Sequence, residues 1–500
     1  MSNILYEALL EPHLNNDKVF LVHDDNSQTT YREFLELAST VAHQLSEIGI
    51  QPDDKLIVKA SKSKYSLALY AASILTGSVY IPLNTTYTLV ETEYFIKDAK
   101  PLFIICDDSS AKELEEISSS VDAKILILND DGSGSLTNDL DLFPNYFKAV
   151  DRNANDLASL LYTSGTTGQS KGAMLTQDNL FSNSQSLCLL WEINEKDILI
   201  HALPIFHTHG LFVAVNTSLL SGATIRFIKN FNLDLIIEAI PSSTILMGVP
   251  TFYTRLLKDN RLNSELTKNM RLFISGSAPL MTETHIEFEK ITGHQILERY
   301  GMTETNMNSS NPYNGIRKPG TVGLPLNDID IIITNPDTGD ILNQGEVGMI
   351  EIKGPNIFKG YFNMPEKTKK EFRPNGYFIT GDMGIFDEDG YLTIVGREKD
   401  LIISGGYNIY PKEIEDTINE LGEVLECAVV GVPNEDLGEV PIAVIVTSSR
   451  KKEKDLENIK KNIQLKLAKF KNPHSYFFID ELPRNTMGKV QKNKLRDDYS

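Results

Sequence analysis

The densest chemical signal in this 500-residue chain is the run Leu161-Tyr-Thr163-Ser164-Gly165-Thr166-Thr167-Gly168-Gln-Ser-Lys171-Gly172. Its hydroxyl and glycine residues follow apolar residues directly, as in a loop that leaves a buried strand. Glycines let backbone N–H groups approach phosphate oxygens, hydroxyls add donors, and Lys171 adds a positive charge. The lysine is not followed by Ser or Thr, so the run is not a Walker loop. The sequence therefore predicts a phosphate-binding loop, against the alternative of a flexible surface loop.

On both sides of this loop, helical patterns alternate with short apolar runs rich in β-branched residues. The clearest strand candidates are residues 55–58, 102–105, 244–247 and 270–274. This alternation continues to about Tyr300 and predicts parallel α/β units. From residue 320 to residue 396 the runs shorten around tight turns such as Asp387-Glu-Asp-Gly390, which predicts an antiparallel β subdomain.

Five hundred residues exceed what one hydrophobic core organises, so at least two domains are expected. Beyond Arg397 a lysine-rich helical pattern carries Leu456, Ile459, Ile463 and Leu467 on one face. The predicted fold is α/β, with a large N-terminal domain of mixed α/β subdomains plus a β subdomain over residues 1–396. A small, mobile C-terminal α+β domain is predicted over residues 397–500.

The charge balance limits the class of partner. With 48 Lys+Arg against 68 Asp+Glu, the net charge of −20 repels nucleic acid and anionic lipid, so neither is an expected partner. The longest uncharged stretch, residues 65–90, is interrupted by Gly77 and Pro82 and predicts a buried helix and strand, not a membrane span. The N-terminus lacks the pattern of a secretory signal, and a cytoplasmic location is expected.

Further motifs accompany the loop in a fixed order: Tyr300-Gly-Met-Thr-Glu304, Thr380-Gly-Asp382, Gly396-Arg397-Glu-Lys-Asp400, Ser404-Gly-Gly406 and Pro483-Arg-Asn-Thr-Met-Gly-Lys489. The set, which spans residues 162 to 489, resembles the adenylate-forming superfamily of acyl-CoA synthetases, peptide-synthetase adenylation domains and luciferases. The resemblance implies that ATP activates a carboxylic acid as an acyl-adenylate, with Mg²⁺ as cofactor and coenzyme A as co-substrate. It identifies the chain as an enzyme, an AMP-forming acid:thiol ligase.

The resemblance also implies an ATP site. Tyr300 is suited to stack on adenine, Thr303 to hydrogen-bond the α-phosphate, and Glu304 to supply a hard oxygen ligand for Mg²⁺. Asp382 and Arg397 resemble the superfamily's ribose contacts, although a lone Asp or Arg is more often a surface charge. The implied ATP-binding residues are Thr163, Ser164, Gly165, Thr166, Thr167, Gly168, Lys171, Ser277, Ala278, Tyr300, Gly301, Met302, Thr303, Asp382 and Arg397.

Lys489 resembles the superfamily's catalytic lysine, although composition alone indicates a solvated surface residue. By that resemblance it bridges the acyl carboxylate and the α-phosphate, with Thr303 and Glu304 as further catalytic residues. Its acetylation by a lysine acetyltransferase is expected to silence the enzyme. For the second half-reaction, Lys399 or Asp400 resembles a hinge. The residues Ser404, Gly405 and Gly406 resemble the loop that lines the coenzyme A channel.

Several segments, including Leu203-Pro-Ile-Phe-His207-Thr-His-Gly210 and the surroundings of Arg299, resemble the malonyl-CoA synthetases. Arg299 directly precedes Tyr300 and suits the distal carboxylate of malonate, with His207 and Ser277 as supporting donors. The alternatives are that Arg299 pairs with Glu298 or another acid, and that His207 only packs. Gln177 and the pair Asn327-Asp328 depart from the subgroup's usual residues.

Other functions remain open at this point. Methylmalonate would fit the same clamp if the pocket has room for a methyl group. A ligase for a short monocarboxylic acid would favour an apolar residue at position 299. An adenylation enzyme that loads a carrier protein, a luciferase-type oxygenase and a non-catalytic nucleotide-binding protein share parts of the same motif set.

Overall fold

The computed structural model describes residues 3–163, 170–405, 407–448, 452–485 and 489–500, without the side chains of residues 452 and 453. The chain is a mixed α/β protein in which three sheets precede Arg397 and a fourth follows it. The predicted fold class, a large N-terminal α/β part with a small C-terminal part, is confirmed.

The strands up to Arg397 are, in chain order, β1 (Val19–Val22), β2 (Gln28–Thr30), β3 (Lys55–Lys59), β4 (Val79–Pro82), β5 (Phe103–Cys106), β6 (Lys124–Ile127), β7 (Leu157–Thr163), β8 (Lys171–Thr176), β9 (Ile198–His201), β10 (Thr224–Phe227), β11 (Ile245–Gly248), β12 (Leu272–Ser275), β13 (Ile296–Met302), β14 (Asn306–Ser310), β15 (Leu324–Pro325), β16 (Asp330–Thr334), β17 (Gly348–Lys353), β18 (Phe378–Phe386) and β19 (Leu392–Arg397). The α-helices of this part are α1 (Tyr31–Glu47), α2 (Lys64–Thr76), α3 (Leu89–Ala99), α4 (Asp108–Ser120), α5 (Gln177–Leu190), α6 (Asn216–Ser221), α7 (Leu233–Ala239), α8 (Pro250–Leu257), α9 (Thr282–Thr292) and α10 (Pro365–Lys370).

Two large sheets form the body of this part. The first runs in the order β15-β14-β13-β12-β11-β9-β10-β1-β2, with parallel pairing from β13 to β1 and antiparallel strands at both edges. The second runs β6-β5-β3-β4-β7-β8 and is parallel except for the β7–β8 hairpin. The third, β16-β17-β18-β19, is antiparallel, as predicted for residues 320–396.

The four strand candidates are confirmed as β3, β5, β11 and β12, with boundaries displaced by at most two residues. Residues 65–90 form the predicted buried helix and strand, α2 and β4. Up to Tyr300 the expected parallel alternation holds except for two antiparallel pairs, β1–β2 and the β7–β8 hairpin. Beyond Tyr300 the chain reverses after β13 and pairs antiparallel with β14. The reversal follows from the polar segment between them and from Asn306, whose φ of 50° is a left-handed conformation that Asn tolerates.

The small C-terminal part contains β20 (Ile402–Ser404), β21 (Tyr407–Ile409), β22 (Val424–Asn434), β23 (Gly438–Thr447) and β24 (Ser475–Ile479), with helices α11 (Pro411–Asn419), α12 (Lys452–Lys466) and α13 (Lys492–Tyr499). Ile459 and Ile463 of α12 are buried as the sequence predicts. A short 3₁₀ turn, Glu398–Asp400, links β19 to β20. The domain boundary at 396/397 falls at this link and stays a prediction. Within the described ranges, no helix has the length and apolar character needed to cross a bilayer.

Candidate active site

Arg299 lies on β13 with its guanidinium group against the backbone of Gly276, just after β12. A Cβ atom at position 276 would stand 2.3 Å from Cζ of Arg299, so only glycine leaves room for the guanidinium there. The arginine is 4% exposed, and its Nε and one terminal nitrogen have no hydrogen-bond partner among the described residues. Burial lowers the pKa of Arg299 to about 9. A buried cation in this state is ready to pair with an incoming anion.

The alternative partner Glu298 points away from Arg299, because consecutive side chains of a strand face opposite sides of the sheet. Its Oε1 accepts a hydrogen bond from the backbone N–H of Leu280 at 3.3 Å, and Oε2 has no partner in the described part of the chain. Burial raises the pKa of Glu298 to about 7. The Arg299–Glu298 pair that the sequence left open therefore does not form.

Two histidines follow β9, and the charge of Arg299 acts on one of them, His209. Burial lowers the pKa of His207 to about 3, with a further contribution from Lys489. Burial also lowers the pKa of His209 well below its usual value, with Arg299 as the next cause. Nδ1 of His209 is 3.3 Å from Oγ of Ser277, and Nε2 of each histidine lacks a partner among described atoms. Both imidazoles are neutral and can donate or accept one hydrogen bond.

His209 is a site residue that the sequence reasoning missed. It stands two positions after His207 in the quoted stretch, and that repeat of histidine was the available signal. One contact supports the alternative that His207 only packs: its ring centre lies 4.7 Å from that of Phe206. That alternative does not explain why Nε2 of His207 has no partner among the described residues. Ser277, which has a φ of 69°, and Ala278 are exposed residues of the loop after β12.

On the other side of Arg299, the next residue in β13 faces the β18–β19 hairpin. The phenol of Tyr300 donates to Oδ2 of Asp382 at 2.5 Å, and Nε of Arg397 is 2.6 Å from Oδ1 of the same carboxylate. Asp382 and Arg397 are direct cross-strand partners. The attraction of Asp382 raises the pKa of Arg397. Three residues expected to touch the nucleoside thus form one hydrogen-bonded group.

The turn between β13 and β14 carries the remaining residues of that motif. Gly301 packs so closely that a Cβ atom would stand 2.0 Å from the carbonyl oxygen of Asn306. Met302 and Thr303 are half-buried, and Glu304 is 6% exposed. Burial raises the pKa of Glu304, and its Oε1 accepts a hydrogen bond from the phenol of Tyr361 at 2.9 Å.

Lys171 belongs to the same network. Its Nζ lies 3.1 Å from the Tyr361 hydroxyl and 3.4 Å from Oε1 of Glu371, whose Oε2 is 2.7 Å from that hydroxyl. Sequence reasoning missed Tyr361 and Glu371, and no local pattern around either residue distinguishes it from a core tyrosine or a surface acid. The predicted metal ligand, Glu304, and the predicted phosphate cation, Lys171, are therefore joined through one phenol.

Part of the predicted phosphate loop is not described. Thr163, the last residue of β7, and Lys171, the first residue of β8, are register partners in the β7–β8 hairpin. The intervening site residues Ser164, Gly165, Thr166, Thr167 and Gly168 lie outside the described residues, as does Gly406 of the predicted coenzyme A loop.

Lys489 reaches both halves of the site. Lys489 as a whole residue is exposed, but the surrounding protein desolvates its ammonium and lowers its pKa. Arg397 lowers this pKa further, whereas Asp382 and Glu304 act in the opposite direction. Arg299 is a further charge that acts on it. The backbone is held by Asn485, which donates its N–H to the Lys489 carbonyl at 2.9 Å and accepts the Lys489 N–H through Oδ1 at 3.0 Å. The structure thus brings Lys489 of the small part to the residues that hold the predicted acid and nucleotide sites.

The predicted coenzyme A and hinge residues lie around the link between the two parts. Ser404 ends β20, and Gly405 begins the turn to β21 with a φ of 56°. Lys399 and Asp400 belong to the 3₁₀ turn, where Oδ1 of Asp400 accepts a hydrogen bond from Arg496 at 2.7 Å. No contact in the described ranges joins Ser404 or Gly405 to Arg299.

The donor set has the character of a phosphate and carboxylate site, not of a protein cage for metal. Within the described part of the chain, no group of three His, Cys, Asp or Glu side chains is placed to hold an ion. Glu304 offers a single carboxylate, and one such donor would fit Mg²⁺ because that ion keeps several waters and shares its coordination with substrate phosphates.

Comparison with known proteins finds matches over both parts of the chain. Residues 12–362 match the family model described as AMP-binding enzyme, and residues 413–489 match its C-terminal domain. A malonate–CoA ligase of Arabidopsis thaliana is 35% identical over 84% of this chain and 74% of its own length. A long-chain-fatty-acid–CoA ligase of Bacillus subtilis is 32% identical, with 94% and 90% coverage. The ATP-bound crystal structure of MatB from Rhodopseudomonas palustris is 50% identical, covers 100% of this chain and 99% of its own, and superposes with a TM-score of 0.97.

Proposed function

The chain belongs to the AMP-binding enzyme family and is an acyl-CoA ligase, and from this premise we propose that the acid it activates is malonate. In the proposed reaction, malonate, ATP and coenzyme A give malonyl-CoA, AMP and pyrophosphate through a malonyl-adenylate. The family includes ligases named for a dicarboxylate and for long-chain fatty acids. Membership alone therefore leaves the acid open, and the choice rests on the residues of the acid site.

The observation that carries the proposal is the unpaired, buried guanidinium group of Arg299. Desolvation of an ion in a protein interior costs several kcal/mol unless a counter-ion and hydrogen bonds offset it. A carboxylate accepts two parallel N–H bonds from guanidinium, and Arg299 has two nitrogens without partners among described residues. A fatty acid would leave this cation unpaired, whereas the distal carboxylate of malonate would neutralise it.

The neutral histidines and Ser277 supply directional hydrogen bonds beside that cation. His207 and His209 each have an unpartnered Nε2 and add no net charge. The net charge of this side of the site therefore matches one carboxylate, not two. The second carboxylate of malonate is left free to react, close to the ammonium of Lys489, which feels the charges of both Arg299 and Glu304.

In the first half-reaction, an oxygen of that free carboxylate attacks the α-phosphorus of ATP, and the bond to the leaving pyrophosphate breaks. Negative charge moves from the attacking oxygen toward the phosphoryl oxygens and the leaving group. Lys489 stabilises this charge because its ammonium lies between the acid side and the nucleotide side of the site. Thr303 and Lys171 are proposed as further donors to phosphate oxygens. Mg²⁺, held by Glu304 together with phosphate oxygens, would neutralise part of the phosphate charge.

In the second half-reaction, the thiol of coenzyme A loses its proton, its sulfur bonds to the acyl carbon, and the bond from that carbon to AMP breaks. The thiol needs access to a carbon beside which Lys489 stands. We propose that the small domain, residues 397–500, turns about Lys399 or Asp400 and brings Ser404, Gly405 and Gly406 toward the adenylate.

A panel of acids tests the proposal. Malonate, methylmalonate, succinate and butyrate are incubated with ATP and Mg²⁺, and AMP and acyl-CoA are quantified with and without coenzyme A. Malonate should give the highest kcat/KM, with malonyl-CoA as the product. Methylmalonate at an equal rate would widen the substrate class. A preference for butyrate would contradict the clamp, and acyl transfer to a carrier protein but not to coenzyme A would contradict the ligase.

A further inference from the structure

One lysine outside the site contacts the carboxyl ends of two neighbouring strands. Lys62 precedes α2, and its Nζ lies 2.7 Å from Nδ1 of His201 and 2.9 Å from the carbonyl oxygen of the same residue. It also reaches the carbonyl oxygens of Leu203 at 2.9 Å and Ile228 at 2.7 Å. These acceptors end or follow β9 and β10, and the ammonium lies 4.5 Å from the ring centre of Phe227. All of these contact groups are uncharged.

The lysine fixes the tautomer of the histidine. Because Nδ1 of His201 accepts from Lys62, its hydrogen is on Nε2, which donates to the carbonyl oxygen of Gly210 at 2.8 Å. His201 is fully buried, and burial together with Lys62 lowers its pKa to about 3, so the ring stays neutral. Lys62 and His201 therefore form a relay of two directed hydrogen bonds that ends at Gly210.

Both ends of the histidine-bearing segment are held by this relay. Lys62 binds the carbonyl of Leu203 and, through His201, the carbonyl of Gly210. Between these points the segment folds on itself, since a Cβ atom at Gly210 would stand 2.0 Å from the carbonyl oxygen of Pro204. His207 and His209, the two neutral imidazoles of the proposed acid site, lie within this segment.

We propose that Lys62 is a positioning residue for the acid site: it sets the imidazoles of His207 and His209 without touching the acid. This inference rests on the proposed function, because it assigns those imidazoles to the recognition of the acid. A displacement of about 1 Å in such a segment is enough to change a rate or an affinity by orders of magnitude. ATP recognition should be independent of the relay, because the group of Tyr300, Asp382 and Arg397 makes no described contact with Lys62.

The variant Lys62→Met keeps the unbranched side chain as far as Cε and removes the amine and its donors. We expect the KM for the preferred acid to rise at least about tenfold, while the KM for ATP changes by less than about twofold. The matched control is Lys229→Met, because Lys229 lines the same cavity of about 240 Å³ but pairs with Asp130 at the surface, at 2.8 Å. The control should leave both KM values unchanged.

A second variant removes the other hydrogen bond of the relay, the one from His201 to the carbonyl oxygen of Gly210. Asparagine at position 201 keeps an acceptor for Lys62 but does not reach Gly210, so His201→Asn should also raise the KM for the acid selectively. It carries the test if Lys62→Met does not fold. Unchanged acid KM values, or acid and ATP values that rise together, would overturn the proposal. The acid panel is measured first with the wild-type enzyme. If the preferred acid is not malonate, the proposed substrate is refuted. The role of Lys62 is then still tested by whether its variant raises the KM for that preferred acid and not the KM for ATP.

Discussion

Arg299 is the residue whose environment departs furthest from what its type requires. Arginine is rarely buried without a counter-ion, and here two of its nitrogens lack a partner among the described residues. A buried, unpaired guanidinium lowers the stability of the folded protein, and binding of an anion offsets this cost. The residue therefore favours acids that carry a second carboxylate.

The substitution Arg299→Leu tests this selection. Without the cation, the distal carboxylate of malonate loses its hydration uncompensated, so kcat/KM for malonate should fall by about 10³-fold or more, and the preference over butyrate should narrow or reverse. The KM for ATP should be nearly unchanged, because Tyr300 and Asp382 keep their hydrogen bond. Arg271→Leu is a matched control, since Arg271 is paired with Asp197. An unchanged ratio of the two acids would remove Arg299 from the clamp.

The substitution Lys489→Ala separates the two half-reactions. Pyrophosphate release from malonate and ATP should fall by at least about 10²-fold because the ammonium no longer stabilises the phosphoryl charge. Synthetic malonyl-adenylate should still react with coenzyme A. Lys492→Ala is the control, because that lysine lies three positions further on and pairs with Glu415 at 2.6 Å. Equal loss of both half-reactions in a folded Lys489 variant would contradict the assignment.

The sequence singled out Lys489 and Arg299 as candidate residues but not the residues around them. Lys489 stands in one of the ordered motifs, whereas Arg299 was selected because it directly precedes the Tyr300 motif and carries a charge that suits a second carboxylate. Tyr361 joins Glu304 to Lys171 from a distant part of the chain, and Gly276 leaves room for a guanidinium group from another strand. Such pairings depend on the tertiary fold, and a single sequence does not encode them in any local pattern.

At the level of elements, three consecutive side chains of β13 contact three different parts of the molecule. Glu298 is buried against the segment before α9, Arg299 faces the acid side, and Tyr300 bonds to β18. The alternation of a strand places Arg299 on one face of the sheet and both Glu298 and Tyr300 on the other. The reversal after β13 then places Glu304 in the turn that follows the strand.

Gly276→Ala tests how closely the end of β12 is fitted to β13. The new methyl group would overlap the guanidinium of Arg299, since the distance to Cζ would be 2.3 Å. Displacement of Arg299 should raise the KM for malonate by about tenfold or more, with little effect on the KM for ATP. Gly422→Ala is the control because nothing lies within 4 Å of a Cβ at that position. Wild-type kinetics in the Gly276 variant would mean that the contact is not needed.

Glu298 on the same strand predicts a pH dependence of stability. Its pKa is about 7 in the folded protein against an ordinary 4.5, so the folded state holds the proton more tightly. The group favours folding below about pH 4.5 and loses this contribution as the pH rises through about 7. Glu298→Gln stays neutral throughout, so its Tm relative to wild type should be more positive at pH 8 than at pH 5. Exposed Glu283→Gln should show no such difference; an equal offset at both pH values in Glu298→Gln would contradict the raised pKa.

At the scale of the whole molecule, the site is complete only when both parts of the chain contribute. The large part supplies Arg299, Glu304 and Asp382, and the small part supplies Lys489, whose ammonium feels all three. The sequence predicted a large N-terminal part followed by a small C-terminal part, but not their relative orientation, because no local pattern of residues encodes the contacts between them.

Hydrogen exchange followed by mass spectrometry tests the proposed rotation. ATP with malonate should slow exchange in the segment that holds Lys489, residues 483–491, because the lysine is then engaged with substrate. Trapping the adenylate and adding a non-reactive coenzyme A analogue should restore exchange there and slow it around Ser404 and Gly405. The interior strand β11 is an internal control with constant exchange. Simultaneous protection of both segments would contradict alternation between two orientations.

Arg397 is the last residue of β19 and directly precedes the 3₁₀ turn that links the two parts. Its bond to Asp382 ties the end of the third sheet to Tyr300. Binding of a nucleotide at the Asp382 carboxylate would therefore depend on the orientation of the small domain, and that orientation would depend on the bound nucleotide. By thermodynamic reciprocity, an orientation that strengthens ATP binding by some factor is itself favoured by ATP by that same factor. Any ligand or modification that favours one orientation of the small domain would thus change the affinity for ATP, and this change would be measurable before any chemical step.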